Sequence, residues 1–279
     1  MRQRPRARAR PRRPRLNTDL LNLARGVAGE AAAFVAAQRA GGVSVAATKS
    51  SAVDVVTQVD RDCEALVRER LLAARPGDAF LGEEGGGAGG ETGVRWIVDP
   101  IDGTVNFLYG LPQYAVSIAA EQDGRVVAGV VVNAATGEEC FASLGGGAWR
   151  DGVRLRVRGP APLAERLVLT GFNYQAGTRR VQAAAVAKLL PLVRDIRRMG
   201  SCALDLCHVA SGSADAYVEE GVAEWDYAAG ALIAREAGAR TEVTVGRDGK
   251  EALLCAPAHG FEEFREAVVS CGFLALDRE

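Results

Sequence analysis

One stretch of the chain, residues 96–107, places two carboxylates and a turn directly after a buried strand. It reads Trp-Ile-Val-Asp-Pro-Ile-Asp-Gly-Thr-Val-Asn-Phe, so a short apolar run leads into Asp99, Pro100 and Asp102. Hard cations such as Mg²⁺ prefer oxygen ligands and usually sit between carboxylates and a substrate phosphate. Backbone amides exposed at a turn can hold that phosphate. The stretch therefore indicates metal-assisted phosphate chemistry, although Asp, Pro and Gly also build ordinary acidic turns for conformational reasons alone.

Two further acidic sites accompany this stretch. Glu83 and Glu84 follow a short apolar segment, and Asp226 precedes a segment with helical spacing. Each has an ordinary alternative, because a strand-end Glu is often a solvated loop residue and Asp is a favoured helix N-cap. The three acidic positions together with one Gly-Thr turn nevertheless favour a single metal and phosphate site to which all of them contribute.

Composition limits the class of protein. At 279 residues and 48% hydrophobic, the chain can bury one large core or two tightly packed halves. The six cysteines include no C-x-x-C pair and are expected to be buried free thiols in a reducing cytoplasm. With only His208 and His259, a His-rich zinc site is not expected.

The N-terminal segment differs from the rest. Residues 1–15 carry eight arginines and three prolines. The whole chain has a net charge of −1, so without these eight positive charges the remaining residues have a net charge of −9. Such a segment is expected to be disordered, since it buries too little surface to offset chain entropy. It could bind nucleic acid or simply be a solvated extension or a start-site artefact. No secretory signal and no apolar run of about 20 residues are expected.

The hydrophobic pattern alternates helices with strands in blocks, which is typical of a layered α/β fold. A hairpin is predicted around Asp123 and Gly124, and a flexible glycine-rich insert over residues 85–93. Predicted helices are 20–40, 57–74, 178–190, 201–211, 226–237 and 260–270; predicted strands include 113–121, 125–132, 138–143, 147–157, 167–170, 214–219 and 252–256. Two prolines at 160 and 162 predict a boundary between an N-terminal half, 16–159, and a C-terminal half, 160–279.

Four blocks together resemble the inositol monophosphatase family of Mg²⁺-dependent, lithium-sensitive sugar-phosphate phosphatases, over roughly residues 17–275. They are residues 49–60, 81–84, 96–107 and 219–230. The resemblance implies the αβαβα sandwich of the inositol monophosphatase and fructose-1,6-bisphosphatase type. It also implies a metal site at the junction of the two halves and a homodimer. The cysteine pattern and the expected lack of a signal or a long apolar run predict a cytoplasmic location with no membrane association.

The resemblance also assigns metal ligands. These are Glu83, Asp99, the backbone carbonyl of Ile101, Asp102 and Asp226. Two or three Mg²⁺ ions per site are implied, with Mn²⁺ as a possible substitute. Several converging carboxylates would repel one another unless divalent cations neutralised them.

By the same resemblance, Asp60 and Thr104 orient and deprotonate an attacking water, with Glu83 as a further catalytic residue. For Thr104 the alternative is a hydrogen bond within the turn. The amides of Gly103 and Thr104 are implied to hold the phosphate. Lys49 matches a family lysine in a mobile segment, or is a solvated surface lysine.

Substrate selection is implied to involve Cys202, Glu219 and Asp226. A carboxylate such as Glu219 suits a polyol because it accepts from hydroxyls. The leading hypothesis is hydrolysis of inositol 1-phosphate or a related polyol phosphate. The alternative within the fold is histidinol phosphate, whose amine Glu219 could also bind. No basic pocket for a second phosphate is evident beside the motifs, although Arg179 or Arg180 could approach in the folded chain.

Two hypotheses of other classes remain. The chain could be a nucleic-acid or transcription-complex binding module, supported only by the arginine-rich segment. It could also be a scaffold with an inactive site, but the full set of acids disfavours that reading.

Overall fold

A computed structural model describes the backbone of residues 13–41, 45–48 and 55–275, and the side chains of residues 17–41, 57–87 and 89–275. Most of the arginine-rich segment, residues 1–12, and the predicted contact residue Lys49 lie outside the described residues. The first helix begins at Arg13, so residues 13–15 of the predicted disordered segment are helical.

The N-terminal elements form helices and one large sheet. They are α1 (Arg13–Ala40), β1 (Val45–Thr48), β2 (Val55–Thr57), α2 (Gln58–Ala74), β3 (Ala79–Gly82), β4 (Gly86–Ala88), β5 (Val94–Asp102), α3 (Thr104–Tyr109), β6 (Ala115–Gln122), β7 (Arg125–Asn133), β8 (Glu139–Ser143), β9 (Gly147–Arg150) and β10 (Val153–Arg154). The eight-stranded sheet has the order β10-β9-β8-β7-β6-β5-β3-β4, in which only β3 and β5 are parallel neighbours.

The C-terminal elements supply a second sheet. They are β11 (Leu167–Thr170), α4 (Ala176–Leu189), β12 (Asp195–Arg197), α5 (Cys202–Ala210), β13 (Ala216–Glu220), α6 (Glu224–Glu236), β14 (Ala239–Val245), β15 (Glu251–Pro257) and α7 (Phe261–Cys271), with short 3₁₀ turns at Leu163–Glu165, Leu190–Leu192 and Ala258–Gly260. The five-stranded sheet has the order β12-β11-β13-β15-β14.

Three hydrophobic clusters show that the elements stack in five layers. Helices α1 and α2 pack on one face of the large sheet. Helices α5 and α6 lie between its other face and the small sheet. Helices α4 and α7 cover the outer face of the small sheet. This is the αβαβα sandwich that the resemblance implied, and all six buried cysteines are free, as expected.

Helix α1 is part of this core. Among the described residues it alone is long and apolar enough to span a membrane by length and composition. Sequence reasoning overlooked it because polar residues interrupt the run. Leu20, Ala24 and Val35 on this helix are buried against the large sheet and α2, and a core helix meets the same criterion.

The central strand β5 is buried on both faces, which explains its continuous apolar sequence. Trp96 and Val98 belong to the cluster under α1 and α2, whereas Ile97 faces the layer of α5 and α6. By this alternation Asp99 faces the middle layer and Asp102 would face away from it. Pro100 cannot donate to the ladder, and the register between β5 and β6 shifts between Asp99 and Asp102. The bulge therefore lets both acids serve one site.

Several local predictions are confirmed and others are wrong. The β6–β7 hairpin turns at Asp123 and Gly124, whose φ angles of 51° and 75° match the positive values of a type I′ turn. The glycine-rich insert is not structureless, because residues 86–88 pair with β3 as an edge strand. The predicted strand 147–157 is broken after Arg150 by a turn. Strands β12 and β14 were not predicted.

Candidate metal centre and active site

Three carboxylates converge at the end of β5. Asp99, Asp102 and Asp226 each offer an oxygen, and these atoms lie within 4.8 Å of one another. Asp99 and Asp102 are buried, with 1% and 8% of their surface exposed. Anionic side chains this close and this desolvated are stable only when protons or cations neutralise them.

The electrostatic consequence is a set of raised pKa values. Burial, followed by the charges of Glu83 and Asp102, raises the pKa of Asp99 well above its ordinary value. Burial also raises the pKa of Asp102 to about 6, against the opposing hydrogen bond from Ser201. Burial and the charge of Asp102 raise the pKa of Asp226 well above its ordinary value. The cluster therefore has the donor set and the unbalanced charge of a divalent-metal site.

The bulge of β5 and the start of α5 fix the first two ligands. The Ile101 amide donates to Asp99 Oδ1 at 3.0 Å. Asp102 Oδ2 accepts from Ser201 Oγ at 2.6 Å and from the Ala203 amide at 2.7 Å. Ser201 also caps α5, so one hydroxyl connects the helix to the carboxylate. Sequence reasoning missed Ser201 because 99 residues separate it from Asp102.

Glu83 reaches the cluster through strand pairing. It follows β3 directly, and β3 runs parallel to β5 with Gly82 opposite Val98. The carboxyl ends of two parallel strands meet at one sheet edge, which brings Glu83 beside Asp99. Glu83 lines the same cavity as the three aspartates.

Asp226 has two roles at once. Helix α6 begins at Glu224, and Asp226 Oδ2 accepts the Ala223 amide at 2.6 Å. The alternative reading of Asp226 as a helix-capping residue is thus partly right, but the same carboxylate also belongs to the acidic cluster.

Asp60 and Thr104 form a hydrogen-bonded pair beside the cluster. Thr104 Oγ1 lies 3.1 Å from Asp60 Oδ1 and 3.1 Å from the Ile101 carbonyl, and its single proton can serve either acceptor. The Thr57 amide donates to Asp60 Oδ2 at 2.8 Å. Burial raises the pKa of Asp60, while the Thr57 hydroxyl and amide oppose that rise. The two residues that the sequence analysis paired are hydrogen-bonded to each other, and the hydrogen bond within the turn to Ile101 exists as well.

Gly103 shapes the turn between β5 and α3. Its φ is +94°, and an added Cβ would lie 2.8 Å from the Gln113 carbonyl and 3.0 Å from the Gly200 carbonyl. Only glycine fits such a conformation and such a close approach. Gly103 and Thr104 both line the cavity, where the sequence predicted a phosphate cradle.

The cavity in front of the acids has a volume of about 360 Å³. Cys202 and Glu219 form part of its wall. The Tyr217 hydroxyl donates to Glu219 Oε2 at 2.8 Å. Gly171 leaves room for that carboxylate, since an added Cβ would lie 1.9 Å from Glu219 Oε2. Burial raises the pKa of Glu219, whereas the Tyr217 hydroxyl and Arg198 lower it.

The cavity also contains two cations that sequence reasoning missed. Arg198 and Lys250 line it, so folding does bring basic side chains to the cavity, although not the Arg179 or Arg180 that the sequence suggested. Arg180 lies instead at a separate cavity between α4 and α7. Nothing in the sequence marks either cation, because each comes from a loop that folding brings to the site.

The layered fold and an acidic centre whose donor set suits a divalent metal place the chain among the phosphoric monoester hydrolases. A model of the inositol monophosphatase family matches residues 16–263, and the chain belongs to that family. It is 49% identical over 257 residues to the inositol-1-monophosphatase SuhB of Mycobacterium tuberculosis, covering 86% of this chain and 89% of that one.

Two other comparisons bear on fold and function. The crystal structure of the extragenic suppressor protein suhB from Bartonella henselae superposes with a TM-score of 0.82 at 33% identity, covering 90% of this chain and 98% of that one. A protein of Pseudomonas aeruginosa named Nus factor SuhB is 42% identical over 200 residues, covering 70% of this chain and 74% of that one.

Proposed function

We propose that the protein hydrolyses inositol 1-phosphate, or a related small polyol phosphate, to the alcohol and inorganic phosphate in a Mg²⁺-dependent reaction. The supporting observation is the convergence of Asp99, Asp102 and Asp226 within 4.8 Å at a cavity that also contains Glu219. The cavity thus combines a site for cations with a carboxylate suited to hydroxyl groups.

The metal ligands proposed are Glu83, Asp99, the Ile101 carbonyl, Asp102 and Asp226. All five residues line one cavity. When bound, two or three Mg²⁺ ions, or Mn²⁺, would polarise the phosphate and activate the attacking water in an in-line displacement. The protein's contribution is to hold the oxygen ligands in place through the bulge in β5 and the first turn of α6.

Proton transfer is assigned to Asp60 and Thr104. Asp60 is fully buried and held by Thr57, so it presents Oδ1 to the Thr104 hydroxyl in a fixed direction. The hydroxyl directs its own proton to Asp60, so its oxygen can accept a hydrogen bond from the attacking water. When the water gives a proton to Thr104, Thr104 gives its own proton to Asp60. A carboxyl whose pKa is raised accepts a proton more readily than an exposed one, which suits a general base.

Binding of the substrate is assigned to both sides of the cavity. The amides of Gly103 and Thr104 hold the phosphate, and Asp226 and Cys202 border the alcohol. Glu219 accepts hydrogen bonds from the polyol. Histidinol phosphate is the alternative substrate, since the same carboxylate could pair with its amine.

Phosphate release from inositol 1-phosphate and histidinol phosphate, measured with and without Mg²⁺, tests this proposal. We expect release that depends on Mg²⁺ and favours inositol 1-phosphate. Absence of metal-stimulated release from every phosphoester tested would defeat it, and a preference for histidinol phosphate would replace the leading substrate with the alternative.

The oligomeric state and the cellular location of the protein are proposed as well. We infer a cytoplasmic homodimer, and the exposure of Tyr109 at 75% and Leu111 at 54% supplies an apolar surface beside α3 for a second copy. Light scattering after size exclusion measures the mass directly. Tyr109→Ser with Leu111→Ser should shift a dimer towards monomer, and a monomeric wild type would refute the inference.

Nucleic-acid binding is a second candidate function, because a relative carries the name Nus factor. Deleting residues 1–15 should leave phosphate release unchanged. Loss of RNA or DNA binding in the same variant would support a nucleic-acid role for the arginine-rich segment. Equal binding by the full-length chain and the deletion variant would show that the segment is not the binding site.

A further inference from the structure

Glu64 is a buried acid that no step of the proposed mechanism uses. It lies on α2, four residues after Asp60, and only 4% of its surface is exposed. Residues four positions apart lie on one face of a helix, so the side chains of Asp60 and Glu64 leave α2 on the same side. A buried carboxylate is costly unless hydrogen-bond donors satisfy it. The donors that reach Glu64 therefore indicate what this acid does.

These donors come from the turn that carries Glu83. Residues 83–85 form this turn, which joins β3 to β4. Glu64 Oε2 accepts the Glu84 amide at 2.7 Å, and the Gly85 amide also donates to the Glu64 carboxylate. Burial raises the pKa of Glu64, and these two amides oppose that rise. They thus favour the ionised carboxylate, which has an acceptor oxygen for each of them.

The glycines on both sides of the turn leave room for this carboxylate. A Cβ added to Gly82 would overlap Glu64 Oε2, and one added to Gly85 would lie 2.6 Å from Glu64 Oε1. Neither glycine has a positive φ, so the space taken by Glu64 accounts for the missing side chain at Gly85 and contributes to it at Gly82. Glycine-rich backbone loses much conformational entropy when it is ordered. A turn of this composition needs support from outside, and Glu64 supplies it.

Glu83 depends on this support more than the other proposed ligands do. Asp99, Asp102 and Asp226 each accept a hydrogen bond from a backbone amide, which holds their carboxylates. Glu83 instead lies beyond Gly82, where the parallel pairing of β3 with β5 ends. The direction of its side chain is therefore set by the turn, and the turn is hydrogen-bonded to α2 through Glu64.

We infer that Glu64 is a positioning residue for the metal centre, which holds the turn 83–85 against α2 and so directs the Glu83 carboxylate towards the ion that it binds. This rests on the proposed metal centre. Asp60 precedes Glu64 by one helical turn, so α2 also fixes the proton acceptor relative to Glu83. Glu64 itself touches neither the substrate nor the ion.

Binding of Mn²⁺ to the full chain without substrate tests this inference, with free Mn²⁺ measured by electron paramagnetic resonance. Glu64→Gln should weaken the binding of Mn²⁺ by about 10–100-fold, the usual cost of removing a group that orients a metal ligand. A glutamine has one acceptor oxygen, and its NH₂ group would face the second amide donor, so it cannot hold both amides. Circular dichroism checks that the variant is folded.

A double-mutant cycle separates positioning of Glu83 from a general loss of stability. In a Glu83→Gln background, Glu64→Gln should cause no further loss of Mn²⁺ affinity, because its effect passes through Glu83. Gly85→Ala should weaken binding as well, since its Cβ displaces a Glu64 carboxylate whose charge is intact. Glu69→Gln, at an exposed acid on the same helix, is the matched control and should bind Mn²⁺ as the wild type does.

Each result supports or overturns the inference. Unchanged Mn²⁺ affinity in Glu64→Gln would overturn it, and so would an equal loss of affinity with and without Glu83. If Glu64→Gln does not fold, Gly85→Ala decides the question, and wild-type affinity in that variant is the contrary result. Absence of Mn²⁺ binding by the wild type would instead overturn the proposed metal centre, and this inference with it.

Discussion

Removal of divalent metal should make this fold less stable as the pH rises from about 4 to about 8, because the carboxyls of the cluster must then ionise without a counter-charge. The pKa of Asp102 sets the size of this loss of stability. A carboxyl whose pKa is 3.8 when unfolded and about 6 when folded binds a proton more tightly in the native state. Its contribution to the free energy of unfolding is therefore largest below the unfolded pKa and is lost as the pH rises through 6.

The magnitude follows from the difference between the two pKa values. Each pKa unit corresponds to about 1.4 kcal/mol, so Asp102 alone removes about 3 kcal/mol by neutral pH. For a protein of this size that is roughly 6–12 °C in Tm. Asp99 and Asp226 act in the same direction, since their pKa values are also raised.

Thermal unfolding measured across this pH range, in EDTA and in excess Mg²⁺, checks the expectation. Tm in EDTA should fall from pH 4 to pH 8, and Mg²⁺ should raise Tm far more at pH 8 than at pH 4. Asp102→Asn should flatten the EDTA profile, whereas Asp19→Asn, at an exposed site on α1, should not. Parallel profiles for the wild type and Asp102→Asn would refute the reasoning.

Three other perturbations address the chemistry. Asp99→Asn should lower kcat by orders of magnitude with an unchanged circular dichroism spectrum, and near-full activity would contradict the ligand assignment. Thr104→Val should lower kcat by roughly 10²–10⁴ by removing the hydroxyl that faces Asp60, while Thr104→Ser should retain most activity; equal activities would exclude a hydroxyl role. Gly171→Ala should raise KM for a polyol phosphate by displacing Glu219, and an unchanged KM would remove Glu219 from substrate binding.

The parts of the site that could be predicted are those with a local cause. The apolar run of β5 predicts a strand buried on both faces, and the Asp-Pro-x-Asp-Gly sequence contains its own bulge and turn. Asp226 is recognisable because it opens an apolar helical pattern. In each case the neighbours in sequence determine the backbone that presents the acid.

The parts that could not be predicted depend on contacts between distant segments. Ser201 binds Asp102 across 99 residues, and Lys250 meets Asn173 across 77. Strand β14 alternates exposed and half-buried residues at the edge of the small sheet, so its apolar signal is weak. The two glycines and one alanine of β4 carry little strand propensity, and only pairing with β3 makes them a strand.

The position of Asp226 links the metal centre to the assembly of the sandwich. Asp99 and Asp102 belong to a strand of the large sheet, whereas Asp226 belongs to a helix held between the two sheets. A cation bound by all three aspartates would connect the large sheet to the middle layer of helices. Neither layer alone offers the three carboxylates. Affinity for the ion should accordingly report whether the layers have docked, so that a chain with a loosened interior loses metal before it loses secondary structure.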